Sequence, residues 1–210
     1  MFIISHRINS IKELKNVNPQ DGIELDVRYH NDDIILSHDP FSHHLNNCEK
    51  FVDLVKEFVK NHQGLIIVNV KSEGIEVACL KILNQYKIKK WFFLDLSSPN
   101  LVKFANLAKN NQFEGLTVDN LAVRFSEFEP IEMAIALKNS VGWVWVDCFN
   151  KMPLDDKNFA KLKSANFKIC LVAPELQNHS SDRAIEFKEL LTKFAIKIDA
   201  VCTKFPEFWR

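Results

Sequence analysis

Short apolar segments alternate with longer amphipathic ones along this chain, and this alternation restricts its fold more than any other feature. The apolar segments have the length and content of strands, and the amphipathic segments carry apolar residues at helical spacing. Repeated strand–helix units predict a parallel α/β fold, and about eight units favour a closed barrel of the TIM (β/α)8 type. The predicted strands cover residues 2–5, 22–28, 34–37, 65–70, 91–96, either 116–118 or 122–125, 143–147, 168–172 and 199–203.

Length and composition suit one compact barrel. The chain has 210 residues, of which 47% are hydrophobic, so it can bury one sizeable core. A full barrel usually needs about 250 residues, and a barrel in this chain must therefore have short loops. The sequence contains no linker or low-complexity tract, and five glycines leave little room for a dinucleotide-binding loop. We expect residues 1–210 to form a single barrel domain.

Charge and cysteine content exclude several classes of partner. Lysine plus arginine equals aspartate plus glutamate at 27 each, which argues against binding to nucleic acid or a membrane surface through bulk charge. No apolar run approaches a membrane span, and the N-terminus lacks the basic segment of a signal peptide. The five cysteines are far apart, as is usual for reduced core thiols. We expect a soluble cytoplasmic protein, whose oligomeric state the sequence does not indicate.

A pair of carboxylates stands in the second predicted strand, within Gly22–Arg28. Glu24 and Asp26 are two residues apart with an apolar residue between them, so a strand places both on one face. Two carboxylates on one face of a buried strand repel each other and cost much free energy to desolvate. A divalent cation removes that cost, and oxygen ligands suit Mg²⁺ or Ca²⁺.

Two histidines flank this carboxylate pair in the sequence. His6 follows the first predicted strand and His38 the third, and together they suit an acid–base pair, with Arg7 as a phosphate ligand. In an ordinary structural alternative, Glu24 pairs with Arg28 and the histidines are hydrogen-bonded loop residues. For any one residue this alternative is preferred, but the whole set favours a metal site with two histidines.

The histidines and the carboxylate pair together resemble the signature of the glycerophosphodiester phosphodiesterases. The matching segments are His6-Arg7, Glu24-x-Asp26 and His38-Asp39. This family belongs to the phospholipase C-like phosphodiesterases, TIM barrels that bind one divalent metal and cleave phosphodiesters with two histidines. The resemblance is clearest over residues 1–71 and returns at 201–206, which is similar to the family's last strand. It implies two catalytic histidines and one cation, Mg²⁺ or Ca²⁺, held by the carboxylates.

Three positions depart from the family pattern. Ile8 replaces the glycine that usually follows His-Arg, which changes the demands on the loop backbone. Asn69 replaces the usual third acidic ligand, and an amide oxygen binds a cation without adding charge. Lys204 replaces the aspartate of the family's final Thr-Asp, which indicates a different substrate. Lys71, by contrast, matches the family's phosphate-binding lysine.

Charged residues follow most of the predicted strands, where the active site of a barrel lies. The predicted phosphate ligands are Arg7, Lys71, Arg124 and Lys204. The predicted metal ligands are Glu24, Asp26, Asn69 and Asp95, with Asp95 as the alternative to Asn69 for the third place. A structural ion pair and a substrate role are equally favoured for four residues at these strand ends. They are Asp95, Arg124, Asp147 and Glu175.

Two further pairs of residues carry less weight. Trp143 and Trp145 face one way in their strand, and packing under a helix is favoured over a place at the barrel mouth. His43 and His44 have side chains that diverge and no third ligand nearby in sequence, which predicts a solvated loop rather than a metal site.

These observations predict a metal-dependent phosphodiesterase that cleaves a small glycerophosphodiester-like substrate by two-histidine acid–base catalysis. The sequence does not assign acid and base between the histidines, nor does it distinguish hydrolysis from initial formation of a cyclic phosphate. Two alternatives are a phosphosugar lyase or isomerase and a non-catalytic phosphate- or metabolite-binding barrel, which the changes at Ile8 and Asn69 would suit. The presence of both histidines and both carboxylates favours the enzyme.

Overall fold

The computed structural model describes residues 1–40 and 45–210, and nine strands lie within them. Most are short runs of β-branched and aromatic residues, which pack well on a pleated surface. The strands are β1 (Phe2–Ser5), β2 (Gly22–His30), β3 (Asp33–Leu36), β4 (Ile66–Val70), β5 (Trp91–Leu94), β6 (Ala122–Phe125), β7 (Trp143–Val146), β8 (Lys168–Val172) and β9 (Ala200–Thr203).

An α-helix follows most of the strands. In the described residues they are α1 (Ile11–Leu14), α2 (Phe51–Asn61), α3 (Glu76–Gln85), α4 (Ser98–Lys109), α5 (Ile131–Ala136), α6 (Asp156–Ser164), α7 (Ser181–Lys193) and α8 (Pro206–Trp209). The helix α2 buries Phe51, Leu54, Val55 and Phe58, which lie on one helical face. Most helices therefore cover the outside of the sheet with an apolar stripe.

Eight parallel strands form a nearly closed barrel, in the order β5-β4-β2-β1-β9-β8-β7-β6. Strands β5 and β6 are joined by a single isolated bridge, between Phe93 and Leu121, and we call this opening the β5–β6 seam. The remaining strand, β3, pairs antiparallel with β2 and forms a hairpin beside the barrel. The predicted TIM-type barrel is thus confirmed.

Strand residues alternate between an inner and an outer core, so the barrel strands read as nearly continuous apolar runs. The outer core lies between sheet and helices and contains residues such as Val68 and Phe93. The inner core consists of Ile4, Leu65, Ile67, Phe92, Leu94, Ala122, Trp143, Trp145, Cys170, Val172, Ala200 and Cys202. At the carboxyl end of each strand, the next inward-facing residue lies at the barrel mouth.

The structure settles one open point and corrects two expectations. The ambiguous strand is Ala122–Phe125, while residues 34–37 fall mostly in β3, the hairpin strand rather than a barrel strand. Trp143 and Trp145 pack in the inner core, so the expectation that they pack under a helix is wrong. The reason is the phase of β7, which turns both rings inward, where Trp143 stacks on Phe92 with ring centroids 4.9 Å apart.

The structure also bears on the expectations about membrane spans and cysteines. None of the helices in residues 1–40 and 45–210 is long and apolar enough to cross a bilayer. The thiols of Cys79, Cys148, Cys170 and Cys202 are buried, as expected for core cysteines.

Candidate active site

The carboxyl ends of β1, β2 and β4 bring several predicted site residues together. The relevant residues are His6 and Arg7 after β1, Glu24 and Asp26 in β2, and Asn69 and Lys71 at the end of β4. Register pairs Glu24 with Ile67, an inner-core residue, and Asp26 with Asn69. Because paired residues of parallel strands face the same way, Glu24, Asp26 and Asn69 lie on the inward face of their strands. The side chains of His6, Arg7 and Lys71 lie 3.6–3.8 Å from the two carboxylates.

Glu24 is almost completely buried, with 1% of its surface exposed. Its Oε2 accepts a hydrogen bond from the Arg7 backbone N–H at 2.8 Å, and its Oε1 accepts one from Asn69 Nδ2 at 2.9 Å. Burial, and then the neighbouring Asp26, raise the pKa of Glu24 to about 7. Glu24 therefore holds its proton close to neutrality until a positive charge is added beside it.

Asp26 is fixed by Asn9, a residue that the sequence analysis did not single out. The Asn9 Oδ1 accepts from the Asp26 backbone N–H at 2.8 Å, and Asn9 Nδ2 donates to Asp26 Oδ2 at 3.0 Å. The first bond fixes the Asp26 backbone and the second one carboxylate oxygen, while Oδ1 has no hydrogen-bond partner in the described chain. No local pattern indicates this contact, because it depends on how the loop after β1 folds over β2.

The buried oxygens at this point fit a divalent cation. Asp26 Oδ1 and Asn69 Oδ1 are both buried and lack a hydrogen-bond partner among the described residues. Two carboxylates and an amide oxygen are the hard donors that Mg²⁺ and Ca²⁺ prefer. The described residues contain no group of three or more His, Cys, Asp or Glu side chains placed to hold a metal, so a third donor here would be the Asn69 amide.

His6 lies beside the carboxylate pair, with its Nε2 3.6 Å from Glu24 Oε2. Its backbone N–H donates to the Thr203 carbonyl at 3.0 Å, which ties the loop after β1 to β9. Burial, and then the charges of Arg7, Lys204 and other neighbours, lower the pKa of His6 to about 3. The ring is therefore neutral at neutral pH and able to accept a proton.

His38 sits at the end of the β2–β3 hairpin and is more exposed than His6. Its Nδ1 is hydrogen-bonded to Asp39 Oδ1 at 2.8 Å. Arg28 donates to the His38 carbonyl from Nε at 3.2 Å and from Nη2 at 2.7 Å, and to the Lys71 carbonyl from Nη1 at 3.0 Å. Arg28 thus bonds to two carbonyls rather than to Glu24, and it links the histidine loop to the end of β4.

The loop after β1 accommodates isoleucine where the family pattern has glycine. A positive φ of 55° falls on Arg7 and not on Ile8, so position 8 has no need of a glycine's freedom. The Ile8 backbone N–H donates to the Glu24 carbonyl at 2.7 Å, and its side chain packs in the outer core. Arg7 keeps nearly half of its side chain exposed, with Nε 3.8 Å from Asp26 Oδ2.

Asp95 and Arg124 form an ion-pair network at the other side of the mouth. Lys71 Nζ lies 3.0 Å from Asp95 Oδ2 and 3.8 Å from Asp26 Oδ1. Arg124 binds Asp95 Oδ1 and Asp147 Oδ2, so both oxygens of Asp95 already contact cations. This arrangement supports the structural ion-pair alternative for Asp95 and Arg124, and their metal and phosphate roles stay predictions.

Lys204 presents a cation beside His6. Its backbone N–H donates to Glu175 Oε1 at 3.0 Å, and the Thr203 hydroxyl donates to the same oxygen. Its side chain is exposed, and its ammonium has no ion-pair partner in the described part of the chain. The predicted solvated loop at His43 and His44 lies outside the described residues.

Sequence comparisons find no relative, whereas comparisons of structure do. No family model and no curated protein matches the chain. A glycerophosphodiester phosphodiesterase from Agrobacterium tumefaciens aligns with a TM-score of 0.67 and 14% identity over 99% of this chain and 98% of that one. The enzyme from Parabacteroides distasonis aligns with a TM-score of 0.65 and 12% identity over 99% of this chain and 94% of that one. The enzyme from Thermotoga maritima aligns with a TM-score of 0.61 and 20% identity over 99% of this chain and 96% of that one.

A second group of barrels is also similar. A mutant tryptophan synthase α-subunit from Pyrococcus furiosus aligns with a TM-score of 0.57 and 12% identity, over 98% of this chain and 88% of that one. At such identities a likeness establishes the fold, while chemistry has to be argued from the site. The chain thus has the TIM-barrel fold of the glycerophosphodiester phosphodiesterases.

Proposed function

We propose that residues 1–210 act as a single phosphodiesterase domain that cleaves a small, glycerophosphodiester-like substrate with a divalent cation. The observation that carries this proposal is the buried Glu24–Asp26 pair, with His6 3.6 Å from Glu24. A barrel with the fold of glycerophosphodiester phosphodiesterases supports it. We also propose a cytoplasmic location.

Glu24, Asp26 and Asn69 would hold the cation, Mg²⁺ or Ca²⁺. The unpartnered Asp26 Oδ1 and Asn69 Oδ1 support this assignment. Burial and the adjacent Asp26 raise the pKa of Glu24, and a bound cation would offset both effects. When bound, the cation would supply charge that stabilises the phosphoryl oxygens. Asn9 would keep the Asp26 carboxylate oriented through its two hydrogen bonds.

Three basic side chains would bind the phosphate itself. Lys71 lies between Asp26 and Asp95, Arg7 extends from the loop after β1, and Lys204 has no ion-pair partner in the described residues. Their charges would neutralise the negative charge that develops on the phosphoryl group. Arg124, which is held by two carboxylates, would position Asp95 and through it Lys71.

The two histidines differ in a way that suits different roles. His6 is buried and neutral, and an anionic phosphate beside it would raise its depressed pKa, so His6 would take the proton of the attacking hydroxyl or water. His38 is more exposed, and its hydrogen bond to the Asp39 carboxylate orients the ring, so His38 would protonate the leaving oxygen. With a neighbouring hydroxyl on the substrate, as in glycerol, the attack would be internal and give a cyclic phosphate first.

The test is turnover of bis-p-nitrophenyl phosphate and of glycerophosphocholine with Mg²⁺, Mn²⁺ or Ca²⁺. We expect chelation to abolish activity, and His6→Ala and His38→Ala each to lower kcat by roughly 10²–10⁴-fold, the scale of a general acid or base. His62→Ala, which removes a histidine after α2 that stacks on Phe58, is the matched control and should leave kcat unchanged. Turnover that survives exhaustive chelation would remove the metal from the mechanism.

The second candidate is a non-catalytic anion-binding barrel. It is favoured by the neutral Asn69 and by the enclosure of Asp95 and Arg124 in an ion-pair network. Under this alternative the protein would bind glycerol phosphate or inorganic phosphate with the same basic residues but release no alcohol from either diester. Binding without turnover, unchanged in His6→Ala and His38→Ala, would decide in its favour.

A further inference from the structure

A cavity of about 860 Å³ opens at the amino ends of the strands, opposite the carboxylate pair. The cavities beside His6 and beside Arg124 at the barrel mouth are each about 310 Å³. The floor of the larger cavity, at the amino ends, is apolar and is formed by Phe2, Leu65 and Trp143. Because barrel enzymes carry out their chemistry at the carboxyl ends of the strands, catalysis does not explain a cavity at this end.

The wall of the cavity is fixed by hydrogen bonds. Buried Asn120 donates from Nδ2 to the Trp91 carbonyl at 2.9 Å, and Asn84 donates from Nδ2 to the Glu114 carbonyl at 2.6 Å. Gly115 has a φ of 76°, and a Cβ there would come within 2.2 Å of Asn84 Oδ1. The wall therefore lies directly against the Asn84 side chain of α3, which leaves no room for a Cβ at position 115.

Four lysines and three carboxylates line this cavity, and the carboxylates are Glu114, Asp119 and Asp199. Asp119 pairs with Lys168 and Asp199 with Lys163, so the remaining three lysines face one acid, Glu114. Lys90 Nζ lies 5.8 Å from the centroid of the Phe2 ring. Lys168 Nζ lies 5.6 Å from that of Trp143 and pairs with an aspartate at 3.0 Å. Lys87 and Lys89 also line the cavity, and no ion-pair partner for either is present in the described residues. The rim thus carries several cations that are only partly neutralised.

We propose that this cavity binds a small organic anion, which has a ring-sized apolar body and one carboxylate, sulfonate or phosphate group. The body would cover the floor of Phe2, Leu65 and Trp143, and the acidic group would contact Lys89 and Lys90. The volume is within the roughly 300–1,000 Å³ that small-molecule sites occupy. We expect the ligand to need both its apolar body and its acidic group. Exposed lysines bind a lone anion weakly, and a neutral apolar molecule leaves the charge of the lysines unmatched.

The test uses 8-anilinonaphthalene-1-sulfonate, which combines two aromatic groups with a sulfonate. We expect its fluorescence to titrate with one saturable site per chain. Its uncharged counterpart, N-phenyl-1-naphthylamine, should bind at least about fivefold more weakly, which matches the loss of one surface charge interaction. Inorganic phosphate at equal ionic strength should not displace the dye. Equal affinity of the charged and uncharged dyes, or complete displacement by phosphate, would overturn the proposal.

Variants then locate the binding. Lys89→Gln with Lys90→Gln should weaken binding of the sulfonate dye roughly tenfold, because two charges near the head group are lost. Lys56→Gln with Lys157→Gln removes two exposed lysines of α2 and α6, so it has the same net charge and should bind like the parent. Thermal unfolding of both double variants should match the parent. Equal dye binding by the two double variants would place the dye elsewhere and refute the site.

Discussion

At the scale of single residues, Glu24 shows the strongest conflict between burial and charge. It lies almost fully buried, beside a second carboxylate, and its pKa is raised to about 7. In the unfolded chain the same group titrates near pH 4.5. Because the folded form holds the proton more tightly, this group adds stability below pH 4.5 that is lost as the pH rises through about 7.

The first prediction concerns this pH window. With chelator present, Glu24→Gln should unfold at about the same denaturant concentration as the parent at pH 4.5 and should be the more stable protein at pH 8, by roughly 2–3 kcal/mol. His6 acts in the opposite sense, since its lowered pKa adds stability as the pH rises from about 3 to 6.5. Comparing the two proteins cancels this contribution. Parallel pH profiles would show that Glu24 is not the group that titrates.

A second prediction at this scale concerns Asn69, which would give the cation an uncharged third donor. Asn69→Leu should weaken Mg²⁺ or Ca²⁺ binding in calorimetric titrations and abolish most activity. Asn69→Glu should tighten binding, because three negative charges would face the ion, and should lower kcat, because a more neutralised ion polarises phosphate less. If Asn69→Leu binds metal as well as the parent, the amide is not a ligand and Asp95 becomes the better candidate.

At the scale of elements, the β5–β6 seam is closed by side chains rather than by a continuous row of backbone hydrogen bonds. The backbone contributes one bridge, and at the mouth Arg124 of β6 binds Asp95, which directly follows β5. The same guanidinium binds Asp147 after β7, which is nearly fully buried. One side chain thus connects three successive strand ends.

Removing this connection should loosen the seam. Arg124→Met should lower the free energy of unfolding by about 2–4 kcal/mol, because buried Asp147 and half-buried Asp95 lose their cation. Amide exchange should accelerate first in β5 and β6. Lys161→Met, which removes an exposed lysine of α6 that pairs with exposed Glu132 at 3.3 Å, is the control and should change stability little. If Arg124→Met changed the amide exchange rates equally in all strands, the seam would not depend on Arg124.

The sequence predicted elements better than contacts. Apolar periodicity located the barrel strands and the strand-end pattern located His6, Glu24 and Asp26, since both are properties of neighbouring residues. The roles of Asn9 and Arg28 depend on register and on loop paths, which no local pattern encodes. Periodicity also could not separate a hairpin strand such as β3 from a barrel strand, because both are short and apolar.

At the scale of the whole molecule, the two ends of the barrel are chemically different. The carboxyl ends carry paired acids, histidines and cations within a few ångströms of one another, whereas the amino ends surround an apolar floor with four lysines and three carboxylates. The inner core of aromatic and aliphatic residues separates them. A substrate at the mouth and an organic anion at the other end would therefore not compete for space.

The pairing of β1 with β9 has a consequence for how the chain folds. It places Phe2 beside Ala200, and this contact spans almost the whole sequence. Most other neighbours in the sheet are one strand–helix unit apart and form over short loops. The β1–β9 contact carries the largest loop-closure entropy, so the two halves of the chain should acquire structure before they join. Because His6 bonds to the Thr203 carbonyl across that junction, the joining of the two halves would also complete the end of the barrel that carries the candidate active site.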